Sequence, residues 1–112
     1  MNKAMYLQRL RSIYSEQVRQ GKQPDLDKIP QPTWYPFQLA FILLNLPSST
    51  DLHHPDRSHE TDAVADLLWF PTGGGKTEAY LGLTAYTIAL RRLQGNIGGR
   101  NGESGVAVLM RY

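Results

Sequence analysis

Residues Phe70-Pro71-Thr72-Gly73-Gly74-Gly75-Lys76-Thr77 decide the reading of this chain. Before them runs Ala63-Val64-Ala65-Asp66-Leu67-Leu68-Trp69-Phe70, a short and nearly continuous apolar stretch. Its length and the turn that follows predict a buried parallel strand. After them, Lys76 to Gln94 carries apolar residues on most sides (Ala79, Tyr80, Leu81, Leu83, Ala85, Tyr86, Ile88, Ala89, Leu93), which predicts a buried helix. A glycine-rich turn between a strand and a helix is built to hold phosphate. Its backbone N–H groups point inward, and the positive end of the helix dipole lies behind them. Gly73, Gly74 and Gly75 let the backbone curl close to a ligand, with Pro71 and Thr72 at the approach. The Lys76 ammonium would reach the β- and γ-phosphates, and the Thr77 hydroxyl would ligate Mg²⁺.

Outward from the loop, Gly95 to Gly105 holds Gly95, Gly98, Gly99, Gly102 and Gly105 and is expected to be mobile. Val106-Ala107-Val108-Leu109-Met110 is expected to be a second buried strand. The order strand, loop, helix, strand predicts a right-handed βαβ unit. Upstream, Tyr6, Leu10, Ile13, Tyr14 and Val18 recur at helical spacing, and Gly21 ends an amphipathic helix over residues 3–20. Arg9, Arg11 and Arg19 lie between them and read as a charged solvent face. Residues 22–36 are proline-rich, and a second helix is expected from Pro36 through Asn45, stopping at Pro47. Residues 48–62 are polar and turn-rich, and their His53, His54 and His59 lack the spacing of a metal site. Glu78, in the first turn of its helix, complements the dipole.

The chain has 112 residues, 41% of them hydrophobic, and a formal charge of +2. That is room for one small domain and no strong bias towards polyanions. The absence of cysteine excludes disulfides and thiolate metal sites and suits a reducing cytoplasm. Met1 to Gln20 is too polar for a signal peptide. The apolar run Phe37 to Leu46 is well short of the roughly 20 residues of a membrane span. A soluble, cytoplasmic protein is expected.

With these motifs together, the chain resembles the first part of a RecA-like ATPase domain of superfamily 2 helicases. Within them it is most like the large helicase subunit of the DISARM phage-defence system and its relatives. Pro71 to Thr77 is similar to motif I, with Phe70 at the first glycine position, as that superfamily tolerates. Tyr35-Pro36-Phe37-Gln38 resembles the Q motif, and Gly105 to Tyr112 resembles the strand entering motif Ia. The fold implied is α/β, a partial P-loop NTPase (RecA-like) domain with a βαβ unit preceded by two α-helices. Residues 1–32 form an N-terminal helix and connector, and 33–112 an incomplete first helicase domain.

The resemblance implies ATP and Mg²⁺ as cofactors. Gln38 would recognise adenine, Pro71, Thr72, Gly73, Gly74, Gly75, Lys76 and Thr77 would hold the phosphates, and Lys76 and Thr77 would act in catalysis. DNA or RNA, and other defence-system subunits, would be partners of the full-length protein. Arg111 would lie near a nucleic-acid backbone. The Asp-Glu pair of motif II, the arginine finger and the second RecA-like domain do not occur before Tyr112. The 112-residue chain is therefore expected to bind ATP without hydrolysing it, and to need a partner chain to fold stably. A stand-alone, non-catalytic nucleotide-binding or interaction module stays open as the alternative. A small kinase is disfavoured, because there is no room for a lid and acceptor site.

Overall fold

The structure, a computed structural model, describes residues 1–111. In chain order it contains α1 (Asn2–Arg19), a short 3₁₀ turn (Leu26–Lys28), α2 (Pro36–Thr50), α3 (Pro55–Ser58), α4 (Lys76–Gln94), β1 (Asn96–Ile97) and β2 (Arg100–Asn101). The three long helices follow the sequence periodicity closely. The amphipathic segment near the N-terminus is α1, and the segment after Lys76 is α4, ending where Gly95 takes a positive φ of 65°.

The core is the seam between α2 and α4. Gln38 meets Gly75, Phe41 meets Tyr80 edge-on at 5.5 Å, and the Thr50 and Tyr86 hydroxyls lie 2.7 Å apart. The order of these contacts makes the two helices parallel. Ile42 and Ala79 are fully buried in the seam. Gly82 is what lets the helices approach. A Cβ there would sit 2.8 Å from the Trp34 ring and 3.0 Å from Ile42 Cδ1. The close contact Gly82 makes is with Trp34 and with Ile42 of α2. On the other side α1 packs on α4 and buries Met5.

Four expectations are corrected. First, α2 does not stop at Pro47 but continues to Thr50. Proline only removes the bond from its own N–H, and its carbonyl still accepts from the Asp51 N–H at 2.9 Å. Second, α4 is not buried all round. Ala79 and Gly82 are buried, but Ile88 and Leu93 are exposed, because α1 and α2 cover only part of its circumference.

Third, neither 63–70 nor 106–110 is a strand among the described residues, so the expected βαβ hydrogen bonding is not made there. Leu67, Trp69, Val106 and Leu109 are each more than 80% exposed. A parallel strand owes its hydrogen bonds to neighbours on both edges, and two segments alone do not supply them. Residues 106–110 turn back along α4, with Arg92 donating to the Gly105 carbonyl at 2.9 Å and the Thr84 hydroxyl 3.8 Å from Met110 Sδ.

Fourth, the glycine-rich stretch after α4 is ordered into a hairpin. Asn96 pairs with Asn101 and Ile97 with Arg100, around Gly98 and Gly99, both at positive φ. That is the backbone a two-residue type I′ turn demands. Tyr112, the last residue of the segment resembling motif Ia, lies outside the described residues.

Candidate functional site

The phosphate-loop residues form the turn that feeds α4. The Gly74 N–H donates to the Pro71 carbonyl at 3.1 Å, and Gly73 and Gly75 hold φ of 81° and 89°. Gly75 is the N-cap of α4 and is glycine for two reasons. Its φ disfavours any Cβ, and a Cβ would also stand 2.8 Å from Gln38 Nε2. Lys76 begins the helix, and its ammonium donates to the Phe70 carbonyl across the turn. Thr77 is exposed on the first turn, beside Glu78.

Gln38 is brought to this loop from far away in sequence. It is buried (3% exposed), and its amide is used at both ends. Nε2 donates to the Gly75 carbonyl at 2.8 Å, and Oε1 accepts from the Tyr35 N–H at 2.8 Å. One side chain thus ties the start of α2 to the start of α4, and the intervening loop 51–75 does not separate them. An amide of this kind has two N–H groups and two carbonyl lone pairs. One of each is left for a further partner.

Aromatic rings extend the link. Phe70, at the first position of the loop, stacks on Phe37 with centroids 4.0 Å apart and planes 12° from parallel, and Tyr35 lies 6.1 Å beyond Phe37. The Phe70 ring also fills the space over Gly74, where a Cβ would meet it at 3.0 Å. The sequence alone gives Phe70 no role in the loop. Its signal was available only as an aromatic residue where a glycine is usual.

A cleft of about 1120 Å³ opens against the loop. That slightly exceeds the roughly 300–1,000 Å³ of small-molecule pockets. Thr72, Gly73, Gly75, Lys76, Thr77 and Gln38 all line it, so the structure gathers most of the expected site residues at one opening. Pro71 and Gly74 shape the turn from behind. Its other walls are Pro30 to Tyr35 of the connector and one face of α1, including Lys3 and Arg9. The sequence grouped Arg9 with Arg11 and Arg19, but Arg11 and Arg19 line a separate groove on α1.

Elsewhere, Arg57, Arg91 and Arg100 cluster near the far end of α4. Partial burial, and then the neighbouring guanidiniums of Arg91 and Arg100, push the Arg57 pKa down. Arg57 and Arg91 donate to the Ser48 and Ser49 carbonyls at the end of α2. Among the described residues no group of three or more His, Asp or Glu side chains is gathered to hold a metal ion. His54 and His59 instead accept backbone N–H bonds in local turns. Arg111 is exposed, and no helix among the described residues is long and apolar enough to cross a membrane.

Over 80 residues the chain is 52% identical to the DISARM protein DrmA of Bacillus paralicheniformis. The chain is related to that DISARM protein. The match covers 70% of the chain and only 7% of the relative, so the chain corresponds to a small part of its length. No family model and no solved structure matches the chain.

Proposed function

We propose that the chain is the ATP-binding part of an ATP-dependent superfamily 2 helicase or translocase serving phage defence. The observation that carries this reading is the convergence at one cleft of the Gly73–Gly75 turn, Lys76, Thr77 and buried Gln38. The α/β, RecA-like fold belongs to the same proposal. The segments 63–70 and 106–110, which flank α4 without strand pairing, would become strands once neighbouring strands of a longer protein satisfied their edges. DNA or RNA, and other subunits of the defence system, are the proposed partners of that longer protein, and the cytoplasm its proposed location.

The residues fit Mg²⁺-bound ATP in type. The phosphate chain would meet the N–H groups of the Gly73–Gly75 turn and the first turn of α4. Lys76 would exchange the Phe70 carbonyl for phosphate oxygens, a charge-assisted bond stronger than the one it leaves. The Thr77 hydroxyl would ligate Mg²⁺, which neutralises phosphate charge when bound. Gln38 holds the Gly75 carbonyl turned away from the phosphates, and its remaining N–H and lone pair match the donor and acceptor edge of adenine. The Asp-Glu pair of motif II does not occur in this sequence, so binding of ATP, and not its turnover, is proposed for this part by itself.

Titration with a fluorescent ATP analogue tests the reading. The wild-type chain is expected to bind, Lys76→Ala to lose affinity by roughly tenfold or more, and neither to release phosphate. Equal binding by both proteins would overturn the nucleotide site. Phosphate release that depends on Lys76 would overturn the absence of turnover.

A further inference from the structure

The cleft that exposes Lys76 and Thr77 is closed on its far side by α1, and that wall is cationic. Lys3 and Arg9 both line it. They stand on either side of Tyr6, three positions from it in each direction, and all three side chains line the cleft. The orientation of that wall is fixed, because Met5 is buried where α1 packs on α4. Among the described residues neither cation forms an ion pair. The ion pairs among the described residues join Lys28 to Asp25, His54 to Asp56 and His59 to Asp62. The cleft lining carries Lys3, Arg9 and Lys76 against a single carboxylate, Glu78 on the α4 wall. Three cations around one opening, two of them on α1, would repel each other without an anion between them.

We infer that Lys3 and Arg9 form a second anion-binding wall that contacts the phosphate chain of the bound nucleotide from the side opposite Lys76. This rests on the phosphate-loop reading above and adds two specific residues from α1 to that site. Both side chains are long, flexible and exposed, so they can swing inward when a polyanion arrives. The ligand class is a nucleoside polyphosphate, with the charge of its phosphate tail as the feature recognised.

The test titrates the fluorescent ATP analogue against the whole chain, Lys76→Ala, the pair Lys3→Gln with Arg9→Gln, and the pair Lys3→Arg with Arg9→Lys. Helical circular dichroism confirms that each variant folds as the wild type does. The glutamine pair is expected to bind roughly tenfold more weakly or worse. The charge-retaining pair is expected to stay within roughly threefold of wild type. If the glutamine pair binds as the wild type does while Lys76→Ala does not, this inference fails and the phosphate-loop reading stands. If the charge-retaining pair is as weak as the glutamine pair, shape rather than charge is at work, and the inference again fails. If the wild-type chain binds no nucleotide, the phosphate-loop reading fails and takes this one with it.

Discussion

At the scale of single residues, Gln38 and Gly82 set the geometry of the site. Removing the Gln38 amide would leave the Gly75 carbonyl and Tyr35 N–H without their partners, at about 1–3 kcal/mol for an unsatisfied buried group. Gln38→Ala should therefore weaken binding of every nucleotide by loosening the loop. A larger loss for ATP than for GTP, in parallel titrations, is expected if the residual N–H and lone pair also meet adenine. Equal losses would confine Gln38 to holding the loop. Gly82→Ala is expected to destabilise the fold by about 1–3 kcal/mol, because Trp34 and Ile42 must move to admit the methyl. Urea unfolding of the two proteins measures it, and an unchanged midpoint would show that the helices separate freely. Sequence singles out Gln38 by its place after Tyr35-Pro36-Phe37. It did not identify Trp34 as Gly82's neighbour, since that contact is set by how α2 and α4 pack and not by any local pattern.

At the scale of elements, helices were legible and strands were not, for one physical reason. A helix closes its hydrogen bonds within its own residues, so Tyr6, Leu10 and Ile13 announce α1 by themselves. The run Leu67-Leu68-Trp69-Phe70 is apolar enough for a strand, but a strand is completed only by another chain segment at its edge. The β1–β2 hairpin is the opposite case. Gly98-Gly99 is a turn dipeptide, but Gly95, Gly102 and Gly105 around it carry a similar signal, so sequence alone does not single it out. Pro47 gives this scale its prediction. It sits inside α2 without an N–H for the Leu43 carbonyl, a defect costing up to about 3 kcal/mol in a helix interior. Pro47→Ala should raise both helical circular dichroism and the urea midpoint, and a fall in either would mean the proline shapes the turn after α2.

At the scale of the whole molecule, the chain is more open than its length requires. Its radius of gyration is 16.9 Å, against roughly 13 Å for a compact domain of this size. Leu44, Leu67, Trp69, Leu93, Val106 and Leu109 are all largely exposed, and all of them belong to α2, α4 or the segments flanking α4. So small a buried surface gives unfolding little to expose. The urea dependence of stability should be shallow, near or below about 1 kcal/mol/M, and the chain should self-associate as concentration rises. A steep, concentration-independent transition, read alongside sedimentation, would contradict this.

The parallel course of α2 and α4 bears on how quickly a ligand arrives. Both helices begin at the same end, where Gln38 touches Gly75. Their positive termini, each equivalent to about half an elementary charge, therefore stand side by side at the mouth of the cleft. An antiparallel pair would have cancelled them. Their fields add along the approach, drawing anions in before any contact is made. Capture should accordingly be fast in dilute buffer and slow as ionic strength rises, since the screening length shrinks from about 30 Å at 0.01 M to about 8 Å at 0.15 M. Release, governed by contacts inside the cleft, should hardly change.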